Sequence, residues 1–194
     1  MADPAKLERL QQALAAYASG ECEPLFDERA EQLEAKVRQR ALRLLDQRAR
    51  SKYELQQRLL ALEFAPAAVA NVIADLERVG LLDDAEFATE WVRQRAHRRG
   101  KSRMVLNLEL KEKGVPQELR DAALEQISLS DERHTAQRFA SKKAQSVAKA
   151  PENRAEYERH LRRILGVLAR RGFPQGLSLQ VAREALDQRI EELG

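Results

Sequence analysis

The stretch Leu110-Lys-Glu-Lys-Gly-Val-Pro116 occurs in two related forms, as Leu59-Leu-Ala-Leu-Glu-Phe-Ala-Pro66 and as Leu168-Ala-Arg-Arg-Gly-Phe-Pro174. The leucines that open the three stretches lie 51 and 58 residues apart. A helix commonly ends at a left-handed residue, usually Gly, and Pro suits the start of the next helix because it needs no N–H there. Each stretch therefore predicts a helix end, a tight turn and a new helix. Three copies indicate that one supersecondary unit is used three times.

The composition is typical of an all-helical protein. The chain has 194 residues, of which 34% are charged and 5% are aromatic, with eight Gly and six Pro. Helix-favouring Ala, Leu, Glu, Gln and Arg dominate the remainder. A repeat of about 45–60 residues has only a thin core, so we expect its stability to depend on its neighbours.

Apolar periodicity outside the three stretches divides the chain into an extension and three repeats. Residues 1–34 hold eight acidic and three basic residues, and a short helix is expected near their start, over about 4–18. Three-helix repeats resembling helix-turn-helix units are predicted over 35–82, 83–128 and 129–194. Together they predict an all-α fold in which the repeats form an elongated, curved array.

Local signals indicate where helices begin and which side chains are buried. Ser51 with Glu54 is a capping-box pattern, and Asp83-Asp84-Ala-Glu86 is a second capping signature, which we favour over a metal-binding carboxylate pair. Leu62 and Val79 continue apolar helix faces and are expected in the core. A longer turn is expected after Pro174, with the last helix over about 179–193.

Charge is segregated along the chain although the formal net charge is only +3. Residues 36–58 have a net charge of +6 and residues 89–103 one of +5, whereas residues 72–90 hold six acidic residues and one basic residue. Such segregation attracts polyanions or an acidic protein surface. The alternative is a solvated helix face with local pairing, such as Glu90 with Arg93. The basic residues near the turns are candidates for binding: Arg48, Arg50, Lys52, Arg93, Arg95, Arg98, Arg99, Lys101, Arg103, Arg162, Arg163, Arg170 and Arg171.

The sequence shows no pattern that predicts catalysis. The three histidines, His97, His134 and His160, have no ligand spacing, and there is no phosphate-binding loop or nucleophile elbow. The larger aromatic residues have helical or turn positions that favour core packing, so no stacking platform for single strands is visible. We expect a binding protein without a cofactor or metal, and a hydrolase or nuclease would need residues that the pattern lacks.

The expected compartment and the transcription-regulator alternative follow from similar arguments. One cysteine, Cys22, excludes an internal disulfide, and no apolar stretch reaches membrane length, so we expect a soluble cytoplasmic protein. A helix-turn-helix regulator of transcription would present basic or amide side chains from the helix after each turn. The helices that follow the turns are net acidic and mainly apolar, which disfavours that alternative.

Several stretches resemble the signature of the RecX family of regulatory proteins. The most specific is Gly80-Leu-Leu-Asp-Asp84, and the resemblance covers about residues 36–190. Glu63 departs from the Gly that the family usually has at that turn, so we expect a strained left-handed residue there. The other matching stretches are Ala41-Leu-Arg-Leu-Leu45, Arg50-Ser51 with Glu54-Leu55, Phe87-Ala88, Glu109-Leu-Lys-Glu-Lys-Gly114-Val115 and Arg170-Arg-Gly-Phe173.

The resemblance implies a regulator of homologous recombination and DNA repair. RecX proteins bind the filament of RecA on single-stranded DNA, lie in its groove, and inhibit its ATPase and strand exchange. The implied partners are the RecA filament and single-stranded DNA, contacted directly or through RecA, and we expect a monomer. The family has no catalytic residues to transfer, and its groove-facing surface corresponds to the arginine-rich candidates. The sequence leaves two alternatives open: whether RecA or DNA supplies more of the affinity, and whether the protein caps filament ends, lies along the groove, or does both.

Overall fold

The fold is all-α in the part of the chain that the structure describes. This computed structural model describes Ala15, which is helical, and residues 28–194, so the rest of the helix expected over 4–18 lies outside the described residues. Residues 28–194 contain no strand, which confirms the predicted fold class. Their helices are α1 (Glu28–Gln47), α2 (Lys52–Leu60), α3 (Pro66–Arg78), α4 (Asp84–Arg99), α5 (Arg103–Glu112), α6 (Gln117–Leu124), α7 (Leu129–Ala144), α8 (Arg154–Ala169) and α9 (Gln175–Glu191).

The helices pack as three bundles in series, which we name module 1 (α1–α3), module 2 (α4–α6) and module 3 (α7–α9). Each module has its own hydrophobic core, centred on Leu55 and Leu59 in module 1, on Leu106 and Leu110 in module 2, and on Leu168 and its neighbours in module 3. The extensive helix–helix contacts all lie within a module. Helix α1 begins at Glu28, so it includes the end of the segment that the sequence assigns to the extension.

The three repeated stretches form the predicted turns between the second and third helices of each module. Glu63, Gly114 and Gly172 adopt left-handed backbone conformations, with φ of 62°, 70° and 75°. Pro66 begins α3, and Pro116 and Pro174 are the residues immediately before α6 and α9. The unit deduced from the sequence is therefore present three times.

Some local predictions were wrong. Leu62 is 37% exposed and Val79 is 58% exposed, because α2 ends at Leu60 and α3 at Arg78, which leaves both residues beyond the buried face. Helix α9 begins directly after Pro174, since Gly176 is accommodated in its first turn. The capping box predicted at Ser51 is only half formed: Ser51 caps α2, whereas the carboxylate of Glu54 binds two cations.

The same arrangement of hydrogen bonds joins module 1 to module 2 and module 2 to module 3. Ser51 caps α2 and donates from Oγ to the carbonyl oxygen of Lys113, in the turn of module 2, at 2.6 Å. Ser102 caps α5 and donates from Oγ to the carbonyl oxygen of Gly172, in the turn of module 3, also at 2.6 Å. Both serines are fully buried. The turn of each following module thus contacts the start of the second helix of the preceding one.

A buried carboxylate completes each of these joints. The Asp84 Oδ1 atom accepts a hydrogen bond from the backbone N–H of Lys52 at 2.8 Å, and the Glu132 Oε1 atom accepts one from the backbone N–H of Arg103 at 2.9 Å. Each carboxylate, on the first helix of one module, therefore satisfies a free N–H at the start of a helix in the preceding module. Asp83 caps its own helix as predicted, whereas Asp84 caps a helix of the neighbouring module.

Candidate functional site

Basic residues of modules 1 and 2 meet at their joint. Seven cations surround two carboxylates there, and we call this set the joint cluster. Its cations come from the links that follow α1 and α4, from α2, from the second half of α4 and from the turn of module 2, so neither module forms it alone. The members are Arg48, Arg50, Arg58, Arg95, Arg99, Lys101 and Lys113, with Glu54 and Glu109.

Glu54 connects the two modules within the joint cluster. Its carboxylate accepts hydrogen bonds from Arg48 of module 1, at 3.0 and 3.2 Å, and from the Nζ of Lys113 of module 2, at 2.5 Å. Burial of the carboxyl acts to raise its pKa, but the hydrogen bonds and charges of Arg48 and Lys113 outweigh burial and lower the pKa of Glu54 to about 2. Glu54 therefore stays ionised and holds the cations of both modules in place.

Glu109 forms the second centre of the cluster, beside Trp91. The indole Nε1 donates to Glu109 at 2.9 Å, the Nε of Arg95 lies 3.3 Å from the same carboxylate, and Lys101 also pairs with it. The guanidinium carbon of Arg95 lies 3.1 Å from the centre of the Trp91 ring, and the Nζ of Lys113 lies 4.2 Å from it. These stacked and paired contacts fix the orientation of the cations.

Positive charge in the cluster remains in excess of negative charge. Burial is the main cause that lowers the pKa of Arg95, and the positive charges of Arg99 and Arg48 lower it further. Burial is also the main cause that lowers the pKa of Lys101, and the positive charges of Arg95 and Arg99 add to this effect. Arg48 belongs to module 1 and Arg95 to module 2, so the two sequence-predicted groups form one positive region across the joint. Such a region attracts phosphates or carboxylates of a partner.

The structure separates other candidates of modules 1 and 2 from this cluster. Lys52 pairs with Glu77 of α3. Arg93 pairs with Glu90 at 2.7 Å, as the alternative of local pairing predicted. The hydrogen bond from Arg93 is the main cause of the lowered pKa of Glu90, and the charge of Arg98 contributes to it. Arg103 donates to the carbonyl oxygen of Ile127 at 2.6 Å and supports module 2. The Gly100 turn therefore does not direct all its cations to one surface.

The candidates of module 3 do not join the cluster either. Arg162 lies 3.9 Å from Glu158 on the exposed face of α8, and Arg163 and Arg170 are exposed on the same module. The guanidinium carbon of Arg171 lies 3.8 Å from the centre of the Phe139 ring, and its Nη1 donates to the carbonyl of Val167 at 3.3 Å. Arg171 thus occupies at the second joint the position that Lys113 occupies at the first.

Sequence reasoning missed Lys113, Arg58 and the functional position of Trp91. Lys113 precedes the left-handed Gly114 of the repeated stretch, and the matching Arg171 also lies over an aromatic ring, so comparing the repeats could have identified it. Trp91 packs partly against the core of module 2, as predicted, but its indole N–H also donates to the carboxylate of Glu109 and its ring face contacts Arg95 and Lys113. Arg58 ends the basic segment 36–58 but lies away from the turns, and its contact with the cluster depends on tertiary packing.

The described part of the chain offers neither a candidate metal site nor a membrane-spanning helix. Residues 28–194 contain no group of three or more His, Cys, Asp and Glu side chains placed to hold a metal ion. No described helix has both the length and the apolar character needed to cross a bilayer. The joint cluster can bind anionic groups through its own oriented guanidinium and ammonium donors.

Comparison with known proteins assigns the family. Models of the first and second three-helix domains of RecX match residues 38–76 and 83–124. The regulatory protein RecX of Corynebacterium efficiens is 54% identical over 193 residues, which cover 97% of this chain and 92% of that protein. This chain belongs to the RecX family. The regulatory protein RecX of Streptomyces coelicolor is 35% identical over 151 residues, which cover 78% of each chain.

Solved RecX structures share the fold. The crystal structure of RecX from Lactobacillus salivarius superposes with a TM-score of 0.69 at 22% identity, over 81% of this chain and 99% of that one. A second crystal structure of a RecX regulatory protein gives a TM-score of 0.66 at 21% identity, over 80% of this chain and 73% of that one. The all-helical architecture of the RecX family is therefore that of this chain.

Proposed function

We propose that this RecX-family chain regulates homologous recombination and DNA repair by binding the RecA–single-stranded-DNA filament and inhibiting its ATPase and strand exchange. The observation that carries the proposal is the joint cluster, where cations of two modules form one positive region with few carboxylates. A filament of protein and DNA is a long polyanion. A surface that extends over two modules can contact it at several points, so individually weak contacts combine.

The proposed role is binding and not catalysis. In this role the partners are the RecA filament and its single-stranded DNA, and the chain acts as a monomer in the cytoplasm without a cofactor. Two arginines of the joint cluster, Arg58 and Arg99, are exposed and form no ion pair within the described residues. These side chains are available to contact a partner. Module limits at 35–82, 83–128 and 129–194 are part of the same proposal.

A titration of RecA activity tests the proposal. Adding the chain to RecA on single-stranded DNA should lower both ATP hydrolysis and strand exchange at amounts below one chain per RecA protomer. The variant Arg58→Glu/Arg99→Glu should require at least about tenfold more protein for the same inhibition, because it reverses two charges of the joint cluster. Unchanged ATPase and strand exchange at saturating wild-type chain would reject the function.

The matched control is Arg43→Glu/Arg183→Glu. Both arginines are exposed and lie outside the joint cluster, and the double substitution changes the net charge by the same amount. We expect this control to inhibit RecA much as the wild type does. Equal weakening by the control and by the cluster variant would show that overall charge, and not the joint cluster, determines binding.

A further inference from the structure

An open concavity lies on module 1, beside its joint with module 2. Its volume is about 540 Å³, and it is continuous with the joint cluster through Arg48, Arg50 and Arg58. An aromatic side chain, Tyr53, lies among these arginines. The lining is completed by one carboxylate and two small or amide residues: the full set is Arg48, Arg50, Tyr53, Glu54, Gln57, Arg58 and Ala61.

Tyr53 packs against the turn of module 2 on one side and remains 46% exposed. A Cβ atom built on Gly114 would lie 2.4 Å from the Cβ and 2.5 Å from the Cγ of Tyr53, so the root of the tyrosine packs directly on the turn of module 2. The joint therefore fixes where this aromatic side chain begins while much of its surface stays open to solvent. From the sequence we expected no stacking platform. That expectation did not consider Tyr53, which is the one aromatic residue of α2.

The charges around Tyr53 are positive and only partly neutralised. The Nε of Arg50 donates to the carbonyl oxygen of Leu44 at 3.0 Å, which orients its guanidinium without neutralising it. Burial is the main cause that lowers the pKa of Arg50, and the neighbouring positive charges of Arg48 and Arg58 lower it further. The carboxylate of Glu54 is already shared between Arg48 and Lys113. An anion entering the concavity would relieve the repulsion among the three guanidinium groups.

We propose that this concavity is a subsite for one nucleotide of single-stranded DNA, in which Arg48, Arg50 and Arg58 bind the phosphodiester and the ring of Tyr53 stacks on the base. The subsite rests on the proposed function, since it gives the chain its own contact with the strand in the filament. Guanidinium forks match phosphate oxygens, and an exposed aromatic ring stacks on any base. In a duplex the faces of the bases are stacked on one another, and an acidic peptide has no bases. Both therefore fit the exposed ring of Tyr53 less well than single-stranded DNA does.

Binding of the full-length chain to a labelled oligothymidine, without RecA, tests the subsite. The variant Tyr53→Leu keeps the Cβ and Cγ atoms against Gly114 but loses the ring, and it should weaken binding at least about fivefold, the lower limit for loss of one stacked base. Tyr53→Phe keeps the ring and should bind as the wild type does. Unchanged affinity of Tyr53→Leu would overturn the proposal.

An abasic oligonucleotide of equal length separates stacking from charge. The wild type should bind it at least about fivefold more weakly than oligothymidine, while Tyr53→Leu should bind the two equally. This comparison stays valid if Tyr53→Leu lowers stability, because both ligands meet the same protein. Equal binding of both strands by the wild type, or equally effective competition by polyglutamate, would show a surface that recognises charge alone and would overturn the subsite.

The contribution of the phosphodiester is tested separately with Arg58→Gln. Arg58 is exposed and makes no ion pair in the described residues, so its substitution leaves the fold intact. The slope of log K against log salt for oligothymidine should decrease by about 0.7 for one lost phosphate contact. Arg43→Gln should leave the slope unchanged, and an unchanged slope for Arg58→Gln would contradict the role of Arg58 in the subsite.

The subsite and the proposed function can fail independently. If wild-type chain inhibits RecA while Tyr53→Leu binds oligothymidine normally, the subsite is wrong and the regulatory function stands. If the wild-type chain binds oligothymidine through Tyr53 but never alters RecA activity, the subsite is right and the regulatory function is wrong.

Discussion

At the residue scale, the left-handed turns show both what the repeated sequence predicts and what it leaves undetermined. The stretch correctly predicted a helix end at Glu63, Gly114 and Gly172. The reason for Gly at the second and third positions lies in the neighbouring module: a Cβ on Gly114 would meet Tyr53, and a Cβ on Gly172 would meet Val105. Module 1 is the first module of the described residues, so no such joint within them accounts for the residue at its turn, where Glu63 adopts the strained left-handed conformation.

Gly114→Ala and Gly80→Ala separate backbone strain from contact at the joint. Both glycines have φ near 70°, but only Gly114 lies against another module, and nothing lies within 4 Å of a Cβ on Gly80. We expect Gly80→Ala to cost about 1–2 kcal/mol. Gly114→Ala should cost a further 1–3 kcal/mol or so from overpacking. Urea unfolding measures both, and equal losses would show that the joint tolerates the added carbon.

Glu54→Gln should destabilise the chain in a pH-dependent manner. The pKa of Glu54 is about 2 in the folded chain, against an ordinary value of 4.5, so its charge stabilises the fold fully above about pH 4.5. That contribution is lost as the pH falls toward about 2. The difference in free energy of unfolding between wild type and variant should be about 1–3 kcal/mol at neutral pH and should shrink across this window. A difference that stays constant from neutral pH to about pH 2 would contradict the assignment.

At the scale of elements, the capping patterns predict where helices begin but not every contact that the capping residues make. Ser51 and Asp83 were recognised as capping residues, and both cap helices. That Ser51 also bonds the next module, and that Asp84 caps a helix of the preceding one, depends on packing between elements distant in sequence. The local sequence pattern predicts the capping hydrogen bond within one helix. It does not predict the bond that the same residue makes to another module.

Ser51→Ala and Ser102→Ala should each cost more than Ser128→Ala. Ser128 caps α7 within its own capping box, whereas Ser51 and Ser102 cap a helix and also donate to the turn of the next module. Loss of a cap costs about 1 kcal/mol, and an unsatisfied buried carbonyl adds about 1–3 kcal/mol. Urea unfolding of the three variants compares them directly, and an equal cost for all three would remove the joint hydrogen bonds from the account.

Asp84→Asn should be tolerated better than Asp84→Ala. The amide oxygen of Asn can still accept the hydrogen bond from the N–H of Lys52. The substitution also removes a buried carboxyl group whose pKa is raised by burial. Alanine leaves that N–H without its acceptor. We expect Asp84→Ala to lower the free energy of unfolding by about 1–3 kcal/mol more than Asp84→Asn does at neutral pH. Thermal unfolding at neutral pH measures this, and the opposite order would contradict it.

At the scale of the whole molecule, the array and its separate cores follow from the sequence, but the functional surface follows only in part. Segment charge predicted basic groups over residues 36–58 and 89–103, and the structure combines Arg48 and Arg50 with Arg95 and its neighbours. Arg93 instead pairs locally with Glu90, and Arg103 donates to the carbonyl oxygen of Ile127 within module 2. Which cations meet depends on the joint, and the joint depends on buried contacts that segment charge does not encode.

Binding to the RecA filament should depend on salt through the joint cluster. If Arg58 and Arg99 contact phosphates, Arg58→Gln/Arg99→Gln should decrease the slope of log K against log salt by about 1.4. The control Arg43→Gln/Arg183→Gln removes two exposed arginines elsewhere and should keep the wild-type slope. The same slope for all three proteins would show that neither cluster arginine contacts the DNA backbone.

The most direct test of the central claim is an electron cryo-microscopy image of the chain bound to a RecA–single-stranded-DNA filament. It shows which surface of which module faces the filament. We predict that modules 1 and 2 lie with the joint cluster, including Arg48 and Arg99, against the groove and within reach of the strand. A bound chain whose joint cluster faces solvent, with the filament contacted by another surface, would contradict the account.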